Sequence, residues 1–322
     1  MAGDVGDPVR PEAEGATSGG LRERLYPFVV GARRTWGQFT QSRLGVIGLL
    51  VIAAITAMAV FAPVLAPHPL EWQAFGENPT FSEAGKLPHP PAFGDPFFAP
   101  LGTDSLGHGI LTQLIYGSRT ALFIGIAAGT LSSLVGVPLG IVSGYYSNSW
   151  IDESIQRVVD VMYGLPFLPL VIVLVFINGV TTFNIIMGIV AKSWLNNAIV
   201  IRGQVLSLSE RPFVEAAEAS GASDGRIMWR HLLPNVLPLG FIYLAQDAAF
   251  AILIQASLAF LGLADFTKVS WGTMLQWIQV EGYIYTAPWW LFPPGIMIAL
   301  LAASFYFIGY SLEDVMNPGG GS

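Results

Sequence analysis

The chain has 322 residues, 53% of them hydrophobic and only 11% charged, with a net charge of −7 and a mean hydropathy of +0.57. Soluble domains carry about 25% charged residues, and a soluble chain with this apolar excess would expose aggregation-prone patches, so the composition excludes a soluble enzyme and defines a membrane protein. It equally excludes a disordered chain. The absence of cysteine excludes a disulfide framework, a thiolate metal site and a cysteine nucleophile. The acidic balance supplies no basic face for nucleic acid.

Residues 1–43 are expected to form an N-terminal arm, disordered over the Gly-, Ala- and acid-rich stretch 1–20. The arm does not read as a cleaved signal peptide, because the apolar segment that follows begins too late and runs too long. A spanning helix needs about 20 mostly apolar residues, and Leu44–Ala62, within a first transmembrane unit 44–66, meets that without a charge. Residues 67–118 are expected as an external loop, proline-rich and acidic, too long for a simple hairpin connection. A five-helix core over 119–312 follows. Its spans are Ala121–Val142, Val161–Ile177 entered through Pro166 and Pro169, Phe183–Ile201, Val236–Leu263, and Trp289–Tyr310, which opens on an aromatic-belt pair. Residues 313–322 form a tail whose Gly319–Ser322 end reads as a flexible linker.

Phe183–Ile201 contains Lys192, Asn196 and Asn197, and hydropathy alone could discard it. Charge placement retains it. With six spans, one side receives eleven basic residues (Arg10, Arg22, Arg24, Arg33, Arg34 and Arg43, then Arg157, Arg202, Arg211, Arg226 and Arg230), and the other only Lys86, Arg119 and Lys268. The basic side is cytoplasmic, which puts both termini and the 202–235 loop there.

That loop carries the most information. Pro212 suits a first helical turn, Val214 to Ser220 give a small-residue face, and Gly221 is placed for a left-handed cap. Ser223 or Asp224 can cap a second short helix bearing Ile227, Met228, Leu232 and Leu233 at helical spacing. Pro234 and Pro238 mark its approach to the fifth span. Periodicity alone would also fit an ordinary amphipathic interfacial loop.

Among polar residues within spans, Asp247 reads either as a pathway carboxylate that meets a substrate ammonium or as a packing residue bonded to Gln246, Asn196 or a partner subunit. Lys192 could pair with Asp247 or snorkel, and Gln255 is a further polar site in the fifth span. Arg157 and Asp160 are expected to pair at i,i+3. Gly136, Gly140 and Gly144 form a ridge for close helix packing, and Gly125 and Gly129 repeat the spacing. The four histidines lack metal-ligand spacing, so no metal site is expected.

Glu215-Ala216-Ala217, three residues, Gly221 and then Leu233-Pro234 resemble the EAA loop of ABC-importer permeases. Arg230-His231-Leu232-Leu233-Pro234-Asn235 is similar to the ending usual in the dipeptide/oligopeptide branch. Further segments fit the C-type permease subunit of that branch: Arg43-Leu44-Gly45, Leu101-Gly102-Thr103-Asp104-Ser105-Leu106-Gly107, Arg202-Gly203-Gln204-Val205-Leu206, and Ser257–Leu263 followed by Ser270-Trp271-Gly272. They occur in family order from about residue 40 to 312. The chain departs from the pattern at His108-Gly109, where an Arg-Asp ion pair is usual, at Gln255 in place of a glutamate, and at Asp247 in a generally apolar span.

The resemblance implies an all-α polytopic protein of six transmembrane helices with the ABC type I importer permease fold. The EAA loop, 209–235, would supply a cytoplasmic coupling helix. Glu215, Ala216, Ala217, Gly221, Leu233 and Pro234 would serve docking, while Asp247, Gln246, Gln255 and Lys192 are candidates for the pathway. No phosphate-binding loop occurs in the chain, so ATP and magnesium would be bound by partner ATPase subunits, with no cofactor and no catalytic residue here. The implied partners are a B-type permease, two ATPase subunits and an external binding protein, in a prokaryotic inner membrane. The implied cargo is di- or oligopeptides, with oligosaccharides or nickel chelates as alternatives. An ion-coupled secondary transporter is the opposing class. An intramembrane enzyme lacks a supporting motif.

Overall fold

The fold was analysed in a computed structural model that describes residues 37, 39–66, 88, 90–91 and 100–316. The N-terminal stretch 1–20, most of the 67–118 loop and the Gly319–Ser322 end therefore lie outside the described residues. Ten helices follow one another within them: α1 Arg43–Val60, α2 Ala62–Leu65, α3 Ile110–Tyr145, α4 Trp150–Gly164, α5 Phe167–Asn178, α6 Thr182–Ser209, α7 Pro212–Ala219, α8 Asp224–Phe260, α9 Trp271–Val280 and α10 Pro288–Met316. Five of these (α1, α3, α6, α8 and α10) are long and apolar enough to cross a bilayer, and α4 with α5 completes a sixth crossing if the bent pair is counted as one.

Several boundaries differ from the sequence expectation. The first unit breaks at Phe61, ahead of Pro63, which opens the short α2. Residues 110–118, expected in the external loop, are helical, because Ile110, Leu114 and Ile115 are buried and extend the apolar face of α3 beyond its charge-free stretch. Residues 313–316, expected in the tail, complete α10. The third span is not one rod: α4 and α5 meet at 94°. Leu165 and Pro166 are extended there, as a residue before a proline is pushed to be.

Close backbone approach organises the centre. A Cβ on Gly136 would sit 2.5 Å from the Trp194 carbonyl oxygen, and one on Gly140 would sit 2.7 Å from that of Ala198. At Gly144 it would lie 2.7 Å from Val205. The three glycines therefore form the seam along which α3 lies against α6. Gly125 and Gly129 make the corresponding seam with α8, against Ile252 and the Leu244 carbonyl. Small residues let backbones approach until dispersion and helix–helix contacts replace side-chain packing.

The ends are tied by specific contacts. Gly45 and Gly48 bring α1 onto α10 at Ser311 and at the Ser304 carbonyl, and the Ser42 and Ser311 hydroxyls are 2.8 Å apart. At the opposite end, α9 is held by a capping box between Ser270 and Thr273. Its fully buried Trp271 donates from Nε1 to the Leu114 carbonyl at 2.9 Å over the flat surface that Gly117 provides.

Candidate functional site

Two regions carry the polar chemistry of the bundle. The first is the 209–235 segment. α7 starts with Pro212 at its first position and ends ahead of Gly221, whose φ of +76° is the left-handed conformation that glycine adopts without strain. Only Val214 of α7 is fully buried, in a cluster with Val205, Ile227, Met228 and Leu232. Glu215, Ala216, Glu218 and Ala219 are exposed, Ala217 is half-buried, and Phe213 and Trp229 add exposed aromatic surface beside them. Val214, with Ala217 packed beside it, thus fixes one face of a helix whose opposite face is open.

The second short helix expected after Gly221 is not separate. It runs through a π-helical turn, Ile227–Leu232, directly into the fifth span. Leu233 is half-buried and Pro234 exposed at this junction. The extra residue in the π turn lets the helix continue past Pro234, whose ring would otherwise clash with an α-helical carbonyl. Ser223 occupies the N-cap position without a side-chain bond. Asp224 instead accepts hydrogen bonds from Tyr145 at 3.2 Å and Tyr146 at 2.9 Å, tying the segment to the end of α3. The bond to Asp224 raises the Tyr146 phenol above its ordinary pKa.

Below this segment lies a bond sequence reasoning missed. Arg202 of α6 meets Asp152 of α4 in a two-pronged pair, Nε to Oδ1 at 2.8 Å and Nη2 to Oδ2 at 2.7 Å. Ser143 of α3 donates to the same carboxylate at 2.6 Å. Three helices therefore converge on one buried acid. No local pattern reveals a pair fifty residues apart. The local pair expected for Arg157 is corrected: its partner is Glu153, at 2.6 Å, and not Asp160. Arg202→Met should lower stability by about 2–3 kcal/mol, because it strands Asp152 while the arginine itself is only partly buried. Thermal unfolding in detergent should show the loss, and adding Asp152→Asn should restore part of it. An unchanged melting temperature would remove the structural role.

The second region is a cavity of about 190 Å3 at mid-bundle. On α8, Tyr243, Gln246, Asp247 and Phe250 line it, residues whose spacing puts them on one helical face. On α6, Lys192 and Asn196 stand one turn apart, and Tyr306 closes it from α10. Asp247 is 6% exposed and accepts from Asn197 Nδ2 at 2.7 Å, so neither Gln246 nor Asn196 is its partner. Asn196 instead accepts from the Tyr163 hydroxyl. The Lys192–Asp247 pair is corrected as well: Lys192 Nζ donates to the Leu165 carbonyl at the α4–α5 corner, a group that the bend frees from helical bonding. Gln255 lies apart, buried and donating to Ser270 at 3.2 Å.

Two loops at the far end are also built on carboxylates. Asp104 accepts from the Leu106 and His108 backbones, from Gln113 at 2.8 Å and at 3.1 Å from His108. His108 thus pairs within a turn that the sequence comparison left without an ion pair. Asp265 accepts from Thr182 at 2.9 Å and from Thr267 at 2.5 Å, and lies 3.6 Å from Lys268. Burial works against its charge, yet these donors and the lysine hold its carboxyl below the usual range. Among the described residues, no group of histidine and carboxylate side chains is placed to hold a metal ion.

A bundle in which a short exposed helix interrupts the chain between two long spans, beside a polar mid-bundle cavity, has the type I permease fold of ABC importers. Residues 136–319 match the family described as binding-protein-dependent transport system inner membrane component, and residues 32–88 match the N-terminal TM domain of oligopeptide transport permease C. The chain belongs to this permease family. It is 34% identical to the dipeptide transport system permease protein DppC of Alkalihalophilus pseudofirmus, over 92% of each chain. It is 32% identical to the oligopeptide transport system permease protein OppC of Bacillus subtilis, over 87% of each. Among solved structures, a chain of the MetNI methionine ABC transporter in inward-facing form shares the fold, with a TM-score of 0.51 and 18% identity over 64% of this chain and 95% of that one.

Proposed function

We propose that the chain is the C-type permease subunit of an ATP-driven peptide importer and forms half of the translocation pathway. It would lie in a prokaryotic inner membrane with both termini cytoplasmic. The observation that carries this reading is α7: an EAA-type helix held by the single buried anchor Val214, presenting Glu215 and Ala216 outward. Exposed apolar and acidic surface on a short, anchored helix suits insertion into a cleft of another protein. In this role α7 docks on a separate ATPase subunit, which supplies ATP and magnesium chemistry. Closure of two ATPase subunits carries two such helices together and swings the spans between inward and outward openings. Ala216 and Ala217 keep the docked helix slim, Gly221 turns the chain away from the cleft, and the π turn with Leu233 and Pro234 transmits the movement into α8.

The peptide assignment is supported by relatives that carry dipeptide or oligopeptide transport in their names. Mild-detergent purification of the chain from its native membrane, followed by mass spectrometry and an ATPase assay, tests the reading. Recovery of a second permease, ATPase subunits and an external binding protein is the expected outcome. A chain that reproducibly purifies alone, or as a homodimer without ATPase activity, would favour a secondary transporter and sink the proposal.

A further inference from the structure

The mid-bundle cavity contains one carboxylate and one ammonium that do not bond to each other. Asp247, on α8, is satisfied only by Asn197 Nδ2, and Lys192, on α6, is held by the Leu165 carbonyl. The Asn197 amide is neutral, so its bond supplies the acid no counter-charge, and its own Oδ1 is buried without a hydrogen-bond partner. Asp247 is buried and Lys192 half-buried; ionisable groups within a spanning segment require partners, and both face a shared space of about 190 Å3, which accommodates a molecule the size of a dipeptide but not a folded chain. The hydroxyls of Tyr163 and Tyr243 and the amides of Asn196 and Gln246 line the same space, offering donors and acceptors suited to a peptide bond.

We propose that this cavity is a transit site for a short zwitterionic peptide, whose α-ammonium pairs with Asp247 and whose terminal carboxylate pairs with Lys192. The site rests on the importer reading given above and adds the recognition chemistry to it. Lys192 releases the Leu165 carbonyl when the carboxylate arrives, so occupancy of the cavity is felt at the α4–α5 corner. Asp247 and Lys192 bind the two ends and take no part in chemistry.

The complete transporter in proteoliposomes, with its binding protein loaded with dialanine, provides the test. Asp247→Asn retains the bond from Asn197, and Lys192→Gln retains a donor toward Leu165. In each variant, dialanine uptake per ATP hydrolysed should fall about tenfold relative to the parent complex. Uptake per ATP unchanged in both variants overturns the site. A parent complex that responds to the binding protein yet imports no peptide overturns the importer reading and the site with it. Should either variant fail to assemble, dialanine carrying a photoreactive side chain decides on the parent complex: labelling of α6 and α8 around residues 192–197 and 243–250 supports the site, and labelling that avoids both helices removes it.

Discussion

Gly136→Val is expected to eliminate the folded chain, with a loss above about 3 kcal/mol. Overpacking a core costs about 1–3 kcal/mol when side chains can shift, but here the obstacle is backbone: the first added carbon already falls 2.5 Å from the Trp194 carbonyl oxygen and 2.5 Å from Asn197 Cβ. Neither can move without separating α3 from α6, the seam on which the bundle centre depends. Displacing Asn197 also takes the single hydrogen bond from Asp247, so a packing fault becomes an electrostatic one. The comparison is Gly203→Ala, on an exposed turn of α6 where an added Cβ meets nothing within 4 Å. There the substitution should stabilise the chain by about 0.5–1 kcal/mol through helix propensity alone. Expression followed by size-exclusion chromatography and thermal unfolding separates the two. If Gly136→Val behaved like Gly203→Ala, the seam would not be where the bundle is held.

What the sequence made legible follows from which signals are local. The charge-free spans are read from composition because twenty apolar residues leave no alternative solvent. The fourth span is harder, since Lys192, Asn196 and Asn197 lower its hydropathy. Its residues are the most buried of the five long helices, and the polar groups that disguise it bond to Asp247, to Tyr163 and to the Leu165 carbonyl. Charge bias across the loops retained it although its mean hydropathy, 1.3, is the lowest of the five. The glycine spacing on α3 was readable for the same local reason, but not which helices it would meet. The neighbours came from tertiary structure.

Interactions between distant segments were not legible. Arg202 carries no mark that distinguishes a partner at Asp152 from a loop charge, and Arg157 had two acids in reach on its own helix, of which Glu153 one full turn back provided the better geometry. Pro166 signalled an interruption. It could not signal a 94° corner, because a proline limits one φ angle and the packing of α5 against Gly188 through Val171 and Val175 sets the direction. The same holds for the π turn. Pro234 indicated a helix boundary, and the chain absorbed it with one additional residue per turn.

Under the proposed coupling role, Glu215→Lys and Gly221→Pro should each abolish ATP-driven uptake while the chain remains in the membrane at parental levels. Glu215 is exposed, so reversing its charge disturbs little within the chain. Its effect falls on the docked partner, where a misplaced charge at an interface costs about 2–5 kcal/mol and thus weakens docking by about 30-fold or more. Gly221 acts differently. Its φ of +76° is closed to proline, whose ring fixes φ near −65°, so Gly221→Pro must re-route the chain between α7 and α8. Because an added Cβ there meets nothing within 4 Å, Gly221→Ala costs only the strain of a left-handed residue, about 1 kcal/mol. It should retain most uptake. Measuring uptake, membrane level and co-purified ATPase for the three variants separates docking from folding. Survival of transport in both Glu215→Lys and Gly221→Pro would remove α7 from the coupling role, since no other exposed short helix on that end of the described bundle presents an acid and a left-handed turn in the same eight-residue reach.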